Sequence, residues 1–390
     1  MVQNKTADDA VVRDVRFYLE VLGRTLFLLV AFNLIFAAVY PLPILGKLTA
    51  YNRLFPGRLR LPYGENPDRA YNLSLFNLEA MFASHEISNG PKPDGEYRII
   101  LIGDSSTWGF LLPPGQTLAA FLNNPATNLP DGRKLRAYNL GYPVMSLAKD
   151  LMILHEVMPY QPDLIVWPIT LESFPKDKQL SHPLLQHNPQ RVRSLIQVYQ
   201  LKLDSNSPDF IDDSFWDRTI LGSRRPLADL LRLQLYGVMW AATGIDQEIP
   251  QSYSPRKEDL PSDASFHNLF GPHLTESDLA VEILHAGHRL AGQVPILLVN
   301  EPMFLSQGLN SHIRYNFFYP RWAYDDYRAL VRTLSQANGW RYLDLWDAVD
   351  NSQFTNSAIH MTPLGTEQFA QRLISSIMEI ASQNPRASSD

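Results

Sequence analysis

The chain of 390 residues contains no cysteine. Disulfides, a thiolate nucleophile and every Cys-based metal centre are thereby excluded. Excess positive charge is missing too: 34 Lys and Arg stand against 40 Asp and Glu, for a formal net charge of -6. With no basic arm to offset that balance, general nucleic-acid binding is not expected. A P-loop is absent, because Gly103 to Gly109 has neither the lysine nor the glycine spacing that cradles a phosphate. One stretch lacks charge altogether. Between Arg24 and Lys47 about 22 residues run without a charged side chain, enough to cross the hydrocarbon core of a bilayer. A transmembrane helix is expected over residues 25–42. A cleaved signal peptide is the weaker reading, since its apolar core is shorter and no Ala-x-Ala-like site follows Ala38. Lys5, Arg13, Arg16 and Arg24 on one side balance Lys47, Arg53, Arg58 and Arg60 on the other, so the charge rule for orientation is silent.

What is present is the composition of a folded protein, 45% hydrophobic and 19% charged. Residues 1–45 read as a tail and anchor, and residues 46–95, rich in Pro, Asn, Gly and Arg, as a juxtamembrane connector with an amphipathic turn at 75–82. Residues 96–385 alternate between short apolar runs and amphipathic segments. Strands are predicted over 97–102, 135–140, 164–169, 294–300 and 340–345. Helices are predicted over 146–158, 324–338 and 363–381, the last with Thr362 as N-cap and Pro363 in its first turn. Such alternation implies an α/β fold: a doubly wound, mainly parallel five-stranded sheet of the flavodoxin-like, three-layer α/β/α kind. The regularity lapses at about 174–275. This reads as a helical insertion, with pieces at 191–203 and 226–242, placed to cap the strand ends. The apolar segment 230–245 is too short for a span and is broken by Arg232; it reads as a core or cap helix, with membrane-surface contact as the alternative.

Gly103-Asp104-Ser105-Ser106 follows the apolar run Arg98-Ile99-Ile100-Leu101-Ile102, which puts a serine at the end of a strand. Reacting groups collect at the carboxyl ends of strands in open α/β sheets. The tripeptide alone is weak, since Gly-Asp-Ser arises by chance in roughly one chain in ten of this length. Serine at its free pKa is a poor nucleophile, so a working site also needs a base and donors for an oxyanion. His360 is the best candidate base. Its loop, between the last strand and the last helix, opens on the same edge of a parallel sheet as the Ser105 loop.

At these residues the chain resembles the SGNH (GDSL-type) hydrolase family. Gly103-Asp104-Ser105 matches the first family block, with Ser105 as nucleophile. Gly141, in Asn139-Leu140-Gly141-Tyr142, matches the second, so that the N–H groups of Ser105 and Gly141 would hold the oxyanion. His360 matches the last block, and the resemblance covers about residues 96–385. Two positions depart from the family pattern. The asparagine expected after the third strand is missing from Val166-Trp167-Pro168-Ile169-Thr170-Leu171-Glu172-Ser173, where Thr170 is the substitute donor and an ionised Glu172 would repel an oxyanion. The aspartate expected three residues before the histidine is Ser357, preceded by Asn356. Either side chain can accept from the imidazole Nδ1–H, but neither carries charge.

The pattern from Gly103 through Thr107 to Gly109, with an N-terminal anchor and the Trp-Pro-Ile-Thr strand end, resembles the membrane-linked branch of the family, which includes DltD-like and alginate-acetylation proteins. The resemblance implies a single-pass membrane protein with an extracytoplasmic domain acting on acyl esters, O-acetyl groups of a cell-envelope glycan above all. It also implies a membrane O-acyltransferase as partner. The missing asparagine and aspartate motivate another reading, a weak or inactive module that binds glycan or supports such a complex. No cofactor is implied. His285 and His288 have helical spacing for a metal, yet only Glu282 lies near them, so no metal site is expected. His182, His187, His267 and His273 read as surface residues, Glu301 as a strand-end cap or substrate contact, and the aromatics of 316–322 as loop packing with sugar stacking as the alternative.

Overall fold

The computed structural model describes residues 3–64, 66–123, 129 and 131–383. Five strands form one parallel sheet: β1 (Glu96–Leu101), β2 (Lys134–Asn139), β3 (Leu164–Ile169), β4 (Ile296–Asn300) and β5 (Arg341–Asp344), in the order β2-β1-β3-β4-β5. The period-2 pleat sorts the apolar run of β1 between two cores. Ile100 and Ile102 enter one cluster together with Leu140, Trp167 and Leu298, whereas Ile99 and Leu101 enter the other together with Ala137, Val166 and Val299. Both faces must therefore be covered, as in other all-parallel sheets.

The strand order decides which helices do the covering. The step from β1 to β2 runs one way across the sheet, and the steps β2 to β3 to β4 to β5 run the other. Right-handed crossovers then place Leu118–Leu122 on one face and Leu147–Val157, Glu282–Ala291 and Arg321–Asn338 on the opposite one. The last helix, Pro363–Gln383, returns to the first face. The direction switches between β1 and β3, where doubly wound sheets open a crevice at the strand ends.

Residues 46–95 do not stand apart from this core, since Leu61, Leu78 and Met81 are fully buried in it. The insertion reaches three strand-end loops. Gln247 donates to the carbonyls of Gly109 and Leu112, His267 meets Glu172, and Arg256 donates to the carbonyls of Phe354 and Thr355. The N-terminal helix runs Gln3–Val39, well upstream of the expected start at residue 25. Its charged part, up to Arg24, contains no proline and carries the i,i+4 pair Arg16–Glu20, and the single Gly23 does not stop the helix. It stops at Tyr40, in the left-handed region, just before Pro41. By length and composition Asp14–Val39 is able to cross a membrane, and a signal sequence near the N-terminus meets the same criterion.

Candidate active site

The nucleophile turn is built from two close approaches. Gly103 sits at φ 151, and a Cβ there would come 2.4 Å from Thr107 Oγ1. Only glycine lets the chain reverse so tightly into the short helix Ser105–Trp108. Asp104 caps that helix, its carboxylate accepting from the Ser106 N–H at 2.8 Å. Ser105 is left half-exposed, while Ser106, Thr107 and Trp108 are buried. The structure places Ser105 Oγ 2.8 Å from His360 Nε2, and His360 Nδ1 2.9 Å from Asn356 Oδ1. An oxygen facing Nδ1 makes that nitrogen the N–H donor and leaves the Nε2 lone pair for the serine proton. Of the two histidine-orienting candidates, Asn356 makes this contact; Ser357 makes no side-chain hydrogen bond among the described residues.

The loop holding His360 is pinned independently. The Thr355 N–H and Oγ1 both donate to the His360 carbonyl, at 2.8 and 3.1 Å. Phe110 packs its ring 4.9 Å from the imidazole. Burial lowers the His360 pKa to about 4, and Asn356 brings no charge to oppose that shift.

The three candidate oxyanion donors sit in different environments. The Ser105 N–H, in the first turn of its helix, has no acceptor among the described residues. The Gly141 N–H already donates to Asn139 Oδ1 at 3.1 Å. A Cβ on Gly141 would lie 2.6 Å from the Trp108 nitrogen, so the glycine lets the second loop lie against the nucleophile helix. Thr170 follows β3, adjacent to β1. Its hydroxyl is fully buried and 2.8 Å from Tyr319 Oη. When Tyr319 donates in that pair, the Thr170 proton is free to point elsewhere. Glu172 is neutralised where it stands. Burial pushes its pKa up, but hydrogen bonds from His267 and Lys178 hold it below the usual carboxylate range.

Lys149 is a residue that motif reasoning missed. It lies in the helix Leu147–Val157, fully buried, and donates to the carbonyls of Gly103 at 2.6 Å and Tyr142 at 2.8 Å. It thus ties the nucleophile turn to the second loop. Its charge is met by Asp150 at 2.6 Å. Burial raises the pKa of both Asp104 and Asp150, and the Lys149 charge works against that rise. Glu301 is buried behind the turn rather than facing substrate or capping a strand in solvent. Burial first, and the neighbouring Asp104 second, raise it well above a normal glutamate. Arg60 is also fully buried, paired with Asp246 at 2.6 and 2.7 Å and donating to the carbonyls of Gly109 and Leu112. The one sequence signal for either cation was a basic residue inside an apolar stretch.

Two of the histidines, His182 and His267, differ from expectation. His182 is buried as an N-cap and His267 is half-buried against Glu172, whereas His187, stacked on Phe76, and His273 are exposed as expected. His285 and His288 both pack against Trp340. Asn316 and Tyr319 are fully buried.

No family model matches the chain, and no curated protein matches it. It is similar to solved structures, among them a putative lipolytic protein of the G-D-S-L family from Desulfitobacterium hafniense, at 11% identity and TM-score 0.33 over 73% of this chain and 99% of that one. A carbohydrate acetylesterase family member from Sinorhizobium meliloti shares 14% identity at TM-score 0.31, over 73% and 98%. An aryl esterase from M. smegmatis shares 12% at TM-score 0.32, over 73% and 99%. At such distances the side chains, not the likeness, carry the functional argument.

Proposed function

We propose that the protein is a serine-dependent acyl-ester hydrolase or O-acyltransferase working through an acyl-serine. The observation that carries this reading is the relay from Ser105 Oγ to His360 Nε2 at 2.8 Å and from His360 Nδ1 to Asn356 at 2.9 Å. Ser105 Oγ attacks the ester carbonyl carbon and gives its proton to His360 Nε2. The oxyanion is held by the Ser105 N–H, by Thr170 and by Gly141 as its N–H exchanges Asn139 for the ligand. The tetrahedral centre collapses, the C–O bond to the alcohol breaks, and that alcohol takes the proton from Nε2. Water or a sugar hydroxyl then attacks the acyl-serine, with His360 again as base. The acyl group is acetyl on a cell-envelope glycan, the domain is extracytoplasmic and held by the N-terminal helix, and a membrane O-acyltransferase is its partner; the family resemblance motivates these finer points. The neutral Asn356 favours a second reading, a glycan-binding or complex-supporting module with little turnover.

Incubation with an activated acetyl ester separates the two readings. A transient mass increase of one acetyl group on Ser105 supports the enzyme, and glycan binding with no adduct supports the module. The enzyme reading also sets a pH profile. The base form of His360 is required, and burial depresses its pKa to about 4. Thus kcat/KM is expected to stay level as pH falls through 6.5 and to decline only towards pH 4. An acid limb centred near 6.5 contradicts the buried-base geometry.

A further inference from the structure

The N-terminal helix carries one strongly polar side chain within its uncharged half, Asn33. A lone helix surrounded by lipid leaves part of such a carboxamide unsatisfied, at a cost of several kcal/mol in hydrocarbon. Here both ends are used. Asn33 Nδ2 donates to its own helix at the Leu29 carbonyl, 2.8 Å away, and Oδ1 accepts from the Leu221 backbone N–H at 3.1 Å. Asn33 and Ala37, one turn apart, are both buried. The insertion therefore descends along the helix, from Asp213, which binds the Tyr40 hydroxyl at 2.5 Å, to Leu221 at the level of Asn33.

That descent has a depth. Asn33 lies six residues before the helix end at Val39, about 9 Å along the axis. The uncharged part of the helix, residues 25–39, rises only about 22 Å, against about 30 Å of hydrocarbon. With Arg24 at the far surface, the bilayer extends past Val39 and covers the level of Leu221. The exposed side chains of the insertion fit such a setting: Trp216 is 70% exposed and Leu221 60%, and further along, towards Thr49 and Tyr51, which Gln234 binds, Leu231 is 62% exposed and Leu235 56%. The last two lie four apart on the helix Arg224–Thr243, whose opposite face buries Leu233, Gly237 and Trp240. Of the exposed arginines along the same segment, Arg224 donates to the Leu221 carbonyl at 2.9 Å and Arg232 pairs with Asp229 at 2.9 Å, and their long stems let the charged heads reach towards the polar surface.

We infer that the segment 214–235 of the insertion is a second membrane contact: it inserts Trp216, Leu221, Leu231 and Leu235 into the bilayer beside the spanning helix. This rests on the reading of the N-terminal helix as a retained anchor. The consequence is a fixed tilt of the domain on the bilayer, because two contacts hold it where a single helix would let it swing.

The absence of cysteine makes the test direct. Single spin labels are introduced in the full chain through Leu221→Cys, Leu231→Cys, Ile35→Cys on the anchor and Phe270→Cys, an exposed apolar site in the insertion. The protein is reconstituted alone into vesicles of phosphatidylcholine and phosphatidylglycerol. Accessibility to oxygen, which concentrates in lipid, is compared with accessibility to a water-soluble nickel chelate. Labels at 35, 221 and 231 are expected to favour oxygen, and the label at 270 to favour nickel. A lipid-like label at 35 with labels at 221 and 231 matching that at 270 overturns the inference while keeping the anchor, and leaves this face to a partner protein. A water-like label at 35 overturns the anchor and this inference with it. All four substitutions replace exposed side chains, and unchanged acyl-ester turnover confirms that each labelled protein is folded.

Discussion

Ser105→Ala is expected to lower acyl-ester turnover by about 10⁴-fold or more, with KM little changed. Without Oγ no acyl-serine forms, and only the oxyanion donors and binding remain to assist water, which leaves a small residual rate in hydrolases of this logic. The substitution should not harm the fold. Ser105 is half-exposed, and among the described residues its hydroxyl makes a single side-chain hydrogen bond, to His360, worth about 1 kcal/mol. The neighbouring serine supplies the control. Ser106 is buried and turned away from solvent, so Ser106→Ala is expected to keep its labelling by a fluorophosphonate probe, whereas Ser105→Ala loses it. Turnover of a chromogenic acetyl ester, read beside probe labelling and the thermal midpoint, checks all three points. Undiminished labelling of Ser105→Ala sinks the assignment of the nucleophile.

The relay departs from the charged form in a way that sets its strength. A neutral orienting group is damaging when it forces the wrong histidine tautomer. Asn356 presents its oxygen to Nδ1, so the tautomer is right and the missing contribution is charge on the imidazolium.

The sheet was legible in the sequence because parallel strands buried on both faces are near-continuous apolar runs, and each predicted strand overlaps the observed one to within two residues. The pairing of Ser105 with His360 was legible as order along the chain: the topology brings the loops after β1 and β5 to one edge, although 255 residues separate them. Three things were not. The choice between Asn356 and Ser357 depends on the turn held by Thr355, and adjacent residues in a loop point in unrelated directions. Arg60 and Asp246 are 186 residues apart, in a connector and an insertion with no periodic pattern to align them. The upstream half of the N-terminal helix was missed because hydropathy marks where a helix can cross lipid, not where it begins.

Lys149 carries the other large expected effect, and it divides into two parts that can be measured separately. Lys149→Met keeps the chain length and removes the ammonium, leaving Asp150, 3% exposed, without the charge that offsets its burial. Breaking a buried pair by removing one partner costs about 3–5 kcal/mol, a fall of roughly 5–15 °C in the thermal midpoint of a domain this size. Activity should fall by about 10²-fold for a different reason. The carbonyls of Gly103 and Tyr142 lose the donor that holds the nucleophile turn against the second loop, and misplacement of about 1 Å is enough for that loss. Adding Asp150→Asn tests the division. The double variant no longer buries an unpaired carboxylate, so its thermal midpoint should recover much of the loss, while kcat stays low because the two carbonyls remain untied. Recovery of kcat along with stability would show that Lys149 serves the fold alone, and no recovery of stability would place the cost in the lost carbonyl bonds rather than in the stranded charge.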